Sequence, residues 1–165
     1  MQSEIVPLKE QARVLMEQDL DEAAWRYRKI LLLGPWRRGF SVKDRFDAYI
    51  HLGLVHYIRG KYERSARIWQ RALVLAERKI GPVSIEVATA LDRLAYASMA
   101  RAEVAATWTF EANGGWNSVS TASHGRMLWQ AAFERSPHRA QGLDYARRRQ
   151  LIEEQLEAHP RGSTR

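Results

Sequence analysis

The chain has 165 residues, with 26 lysines and arginines against 19 acids, a net charge of +7 and no cysteine. A domain of this length buries about 70% of its unfolded surface and needs no covalent staple. The missing cysteine excludes disulfides, thiol nucleophiles and cysteine-ligated zinc. Arginine supplies 21 of the cations, a balance that attracts acidic protein, nucleic acid or anionic lipid. Acids are interspersed along most of the chain, which points to a solvated mixed surface rather than a dedicated nucleic-acid stripe. The opening MQSEIVPLKE has neither a basic n-region nor an apolar h-region, so no signal peptide is expected. The longest early apolar run, Ile30 to Leu33, is far too short to span a bilayer. The sequence therefore reads as cytoplasmic, with no transmembrane segment.

In chain order the elements fall into copies offset by 42 residues. The first copy covers Leu8 to Leu33, with Glu10-Gln11 opposite the later Leu52-Gly53. A longer connection carrying Trp36, Arg37 and Arg38 follows, and these three are either an extra contact or packing against the second pair. The second copy is the clearest. Its Lys61 to Ala66 falls on Asp19 to Ala24, and Trp69 to Leu73 falls on Tyr27 to Leu31. Leu52, Val55 and His56 lie at i, i+3, i+4, and Ala66, Trp69 and Leu73 at i, i+3, i+7, so each copy is a pair of helices. Gly60-Lys61 is not a phosphate loop: six residues rather than four separate the glycines, Tyr62 follows the lysine, and no strand leads in. Gly53 instead reads as a close helix approach and Gly60 as the end of the first helix. Gly81-Pro82 ends the second helix. The third copy places Leu94-Ala95 on Leu52-Gly53, Met99 on Tyr57, Ala102 on Gly60 and Thr107 on Ser65.

These residues carry a resemblance. Leu52-Gly53, Tyr57, Gly60-Lys61-Tyr62, Ala66, Trp69 and Arg71-Ala72-Leu73 resemble a tetratricopeptide repeat. The copy length and the run Ile80 to Leu91 are similar to the kinesin-light-chain type of that repeat. The likeness is good over Phe46 to Ala100, fair over Leu8 to Leu33 and poor after Ala112. Ser65 stands where the family usually has alanine. The resemblance implies an all-α, right-handed helical-repeat solenoid of about three helix pairs over residues 1–112. The polar, glycine-rich stretch 113–125 is expected as a loop. Residues 126–158 are expected as two C-terminal capping helices, the second starting at Ser136-Pro137, and 159–165 as a mobile tail.

The resemblance also implies that ligand segments lie on a concave face lined by the first helix of each pair. In this register Lys9, His51 and Arg93 precede the Leu-Gly position and form a basic column. Around it lie Leu8, Ile50 and Asp92, then Ala12, Leu54 and Tyr96, then Leu15, Tyr57 and Met99. Such a groove suits an acidic or carboxylate-ended segment with apolar anchors. It is similar to the carboxylate clamps of some family members, but their asparagines are missing. Ordinary packing or solvated positions are the competing reading, and self-association through the groove stays open.

Asp47, His51 and Asp92 are a weak metal-ligand set, with a salt-bridged cluster around Arg93 the better reading, so no metal or other cofactor is expected. His56 reads as a satisfied core histidine, and His124 and His138 have no visible partner. Ser65 and Ser98 read as packing residues, and the serines near His124 lie in a loop, so no nucleophile stands out and the chain is read as a non-enzyme. Arg64, Arg67, Arg71 and Arg78 form a stripe along one helix, and Arg147-Arg148-Arg149 a cluster on the last. Either could meet phosphate, though a stripe with Glu63 and Glu77 nearby more often faces solvent. The function expected from sequence is a protein–protein interaction module: an adaptor, assembly factor or accessory subunit. A basic accessory protein for RNA or DNA is the alternative, with a secretion-type chaperone lower.

Overall fold

The computed structural model describes residues 5–36 and 39–159. Arg37, Arg38 and most of the expected tail lie outside them. Among the described residues every regular element is helical: α1 (Ile5–Gln18), α2 (Leu20–Leu33), α3 (Val42–Ile58), α4 (Tyr62–Lys79), α5 (Ile85–Ala112), α6 (Ala122–Arg135) and α7 (Pro137–Ala158), with two short 3-10 turns. None of these helices is long and apolar enough to cross a membrane.

Local chemistry sets the boundaries. Asp19 caps α2 by accepting from the Asp21 and Glu22 amides. Ser41 and Asp44 form a capping box at the start of α3. At the end of α3, Gly60 takes φ +68. There the Lys61 amide donates to the His56 carbonyl and the Gly60 amide to the Tyr57 carbonyl, both at 2.9 Å. This pair of bonds is the Schellman ending, and it reverses the chain into α4.

The α1–α2 and α3–α4 hairpins pack in sequence, and the second helix of each carries a large buried ring. Tyr27 and Trp69 are both fully buried. The Trp69 indole lies so close to Gly53 that a Cβ there would overlap the ring. Its Nε1 donates to the Ile50 carbonyl at 2.9 Å, so α3 and α4 are joined by shape and by a hydrogen bond together. Ser65 adds a second polar tie, its hydroxyl donating to the Gly53 carbonyl at 2.9 Å.

The third copy departs from the expected hairpin. Ala102 does not turn the chain; it is buried in the middle of the 28-residue α5. An alanine in a run of good helix formers continues a helix, where glycine at the equivalent position of the second copy ends one. The pairing role passes to α7. Gly142 sits against the Ala95 carbonyl, Ser98 and Met99, and Arg149 reaches Asp92, so α7 runs antiparallel along the first half of α5. It also meets α4 through Tyr145–Gln70 and Arg148–Glu77, and Ile152 joins the core formed by α3, α4 and α5.

The overhanging half of α5 is covered by α6 instead. Ala106 and Phe110 are buried there, Trp116 packs edge-on to Phe110 with centroids 5.2 Å apart, and Trp129 donates to the Thr107 hydroxyl. The expected loop 113–125 is therefore shorter. Thr121 caps α6 by accepting from the His124 amide, and Gly125 is already inside the helix, pressed against Trp116.

Candidate functional site

On the face expected to bind a ligand, most of the charges are already matched by the protein itself, Arg93 excepted. Lys9 bridges from α1 to α3, its ammonium 2.9 Å from Asp44 and 2.8 Å from Asp47. Burial works against that charge, but the bonds to Asp47 and Asp44 outweigh it and hold the Lys9 pKa above its usual value. Burial likewise opposes the Asp44 carboxylate, and its bonds to Ser41 and Lys9 win, holding its pKa low. The His51 ring stacks on Tyr27 with centroids 5.3 Å apart, and its Nδ1 lies 2.8 Å from the Asp47 carbonyl oxygen. Asp92 accepts from Arg149 at 2.6 Å. Arg93 is half-buried, with a buried Nε that has no partner.

Lys9, His51 and Arg93 thus do not form a column of free cations. The apolar positions are also largely used. Ile50 is buried in the core, Leu54 and Tyr57 pack against it, and Met99 meets α7 at Gly142. Tyr96, 52% exposed, is the aromatic of this set most open to solvent. Among the described residues, no group of three or more histidines, aspartates and glutamates could hold a metal ion.

The outer face is different. An open cleft of about 680 Å³ lies between α2, α3 and α4. Its walls carry Arg28 from α2 and Arg64, Arg67 and Arg71 from α4; its apolar lining comes from Leu31, Leu32, Tyr49, Leu52 and Ile68. Among the described residues no acid lines it. The two acids expected to solvate the arginine stripe are committed elsewhere. Glu63 pairs with Arg101 at 2.6 Å and lies only at the 3.9 Å margin from Arg67, and Glu77 pairs with Arg148. Among the described residues no carboxylate pairs with Arg28, Arg64 or Arg71. The Arg147–Arg149 cluster is largely spent: Arg148 holds Glu77, and Arg149 holds Asp92 and Glu153.

His56 also lines the cleft, and it is not the satisfied core histidine that its sequence position predicts. It is 1% exposed, and among the described residues its Nδ1 has no hydrogen-bond partner. Its Nε2 lies 3.5 Å from an Arg28 terminal nitrogen. Burial, followed by the fields of Arg64, Arg28, Arg59 and Lys61, pushes its pKa down to about 4. The imidazole is therefore neutral near pH 7. With Arg28 donating toward Nε2, the ring proton sits on Nδ1, a buried donor without an acceptor.

The sequence pointed to Arg64, Arg67 and Arg71 but not to Arg28, His56 or the apolar lining as one site. At the 42-residue offset Arg28 falls on the neutral Gln70, so the repeat alone did not mark it as part of a basic site. Against protein-family models, characterised proteins and solved structures, the chain has no match.

Proposed function

We propose that the chain is a non-catalytic protein–protein interaction module of tetratricopeptide type, an adaptor, assembly factor or accessory subunit, and that it holds an acidic segment of a partner in the outer arginine-lined cleft. The observation that carries this reading is the cleft's uncompensated charge: arginines from two helices, an apolar lining and no carboxylate among the lining residues. Exposed arginines normally find acids or spread apart; here they gather over Leu31, Leu52 and Ile68, a surface that would take apolar side chains between the acids. The repeat assignment is supported by two successive hairpins at the 42-residue offset, by the Gly53–Trp69 approach and by the Gly60 reversal.

A nucleic-acid reading uses the same arginines, and the stripe of three along one helix favours it. Affinity purification from native extract, with and without nuclease, separates the two. Wild type should retain a protein partner that nuclease does not release, and Arg28→Ala/Arg64→Ala/Arg71→Ala should lose it. Loss of the partner on nuclease treatment would favour nucleic acid. Retention by the triple variant, with loss on Tyr96→Ala, would return the site to the α1–α3–α5 face.

A further inference from the structure

We infer that the anion for which the arginine cleft is built is a phosphoryl dianion borne by the bound segment, a phosphorylated side chain rather than a glutamate or aspartate. The inference rests on the reading of the cleft as the partner site and names the chemistry it selects.

The first argument is charge density. Arg64, Arg67 and Arg71 occupy successive turns of α4, spanning about 10 Å along the helix, and Arg28 faces the same cleft from α2. Each guanidinium offers a planar fork of donors. A carboxylate brings one charge and two oxygens, and a single arginine fork already engages both. A phosphate monoester brings a charge of about −1.5 to −2 and three acceptor oxygens, enough to engage arginines from both walls at once. Like charges gathered without an acid are the arrangement that a dianion relieves and a monoanion leaves largely unrelieved.

The second argument is the floor. His56 is a neutral, buried imidazole with an unpaired Nδ1 and with Arg28 at its Nε2. An anion that attracts Arg28 changes the field at this ring directly. Beside it the apolar lining gives the organic part of a monoester a place to lie, in a cleft whose volume of about 680 Å³ far exceeds that of one phosphate group. Leu32, 72% exposed at its edge, extends that surface outward.

The third argument is extent. A nucleic-acid strand presents one charge per nucleotide and needs a long track of cations. Here several of the surrounding arginines are taken: Arg59 by Asp21, Arg101 by Glu63, and Arg148 and Arg149 by Glu77, Asp92 and Glu153. Four arginines from two helices converge on this one cleft, a short cluster rather than the long track that a strand needs.

The test uses the full chain and four probes: acetyl-Leu-phosphotyrosine-Leu amide, the same peptide with glutamate in place of phosphotyrosine, phenyl phosphate, and single-stranded oligothymidylate. Affinity is measured by calorimetry, and the site is followed by the His56 ring resonances, both above about pH 7 where the phosphate is a dianion. The phosphopeptide should bind about tenfold more tightly than the glutamate peptide or phenyl phosphate. It should shift the His56 ring resonances, and Arg28→Ala and Arg64→Ala should each weaken its binding, whereas Arg126→Ala on α6 should not.

Equal binding of the glutamate peptide, still lost in Arg28→Ala and Arg64→Ala, would overturn the phosphoryl inference and leave the cleft as an acidic-segment site. Equal binding of phenyl phosphate would assign the cleft to a small free monoester and overturn the segment. Tighter binding of oligothymidylate would assign it to nucleic acid. If no probe moves His56 or responds to the arginine substitutions, the reading of the cleft as a binding site fails with it.

Discussion

Trp69→Ala tests the helix pairing on which the whole cleft depends. Trp69 is 1% exposed and lies against Gly53, with its indole Nε1 donating to the Ile50 carbonyl. A buried tryptophan removes about 150–250 Å² from water, which at about 25 cal/mol per Å² amounts to about 4–6 kcal/mol. An extended-chain reference overstates that burial by about 10–40%. The cost of emptying the site is therefore about 3–5 kcal/mol, the range found for large aromatic truncations in cores. In a chain of this length each kcal/mol shifts the midpoint by about 2–4 °C, so the unfolding temperature should fall by about 6–20 °C. Urea and thermal unfolding followed by circular dichroism measure both quantities. Trp108, on the overhanging half of α5, is 73% exposed, and Trp108→Ala should stay within about 0.5 kcal/mol of wild type. A loss below about 1 kcal/mol for Trp69→Ala, or an equal loss for Trp108→Ala, would refute the packing argument.

Lys9→Met removes the bridge from α1 to Asp44 and Asp47. Because the three groups are partly exposed, the loss should be about 1 kcal/mol, read as faster amide exchange in α1 with α4 unchanged. His56 should remain neutral until pH falls toward about 4, held there by burial and by Arg64, Arg28, Arg59 and Lys61. Its folded pKa lies below the unfolded value near 6.5, so the stability it contributes is complete above about pH 6.5 and is lost as pH falls toward 4. Urea midpoints at pH 7 and pH 4.5 should therefore differ less in His56→Leu than in wild type, and an equal difference in both would contradict the assignment.

Elements whose boundary chemistry is local were legible in the sequence. Gly60 announces a left-handed ending, and Ser136-Pro137 marks a helix start, because one or two residues decide each. A close helix approach at Gly53 was legible as well, since Gly53 and Ala95 are both small at one place in the repeat; that Trp69 is the ring pressed against Gly53 was not. Ala102 misled for the same reason: the offset placed it on Gly60, but alanine carries no instruction to turn, and α5 simply continues. That α7 would take up the pairing with α5 depends on Gly142 meeting Ala95, Ser98 and Met99, a match between segments with no shared local pattern. The candidate groove was misread at the level of charge. Lys9 and Asp44 are 35 residues apart, and no short-range spacing reveals that the lysine is already neutralised. Arg28 escaped notice for the complementary reason: its cleft exists only once α2 and α4 lie side by side over α3.

The central claim is that a partner protein occupies the outer cleft and not the α1–α3–α5 face. A photo-reactive amino acid placed at Leu32, at the cleft edge, or at Tyr96, on the opposite candidate face, tests it in cells, since both positions are exposed in the folded chain. The account predicts a discrete protein adduct from Leu32, abolished by Arg28→Ala/Arg64→Ala/Arg71→Ala, and none from Tyr96. A protein adduct from Tyr96 alone, or a Leu32 adduct that nuclease digests, would contradict it.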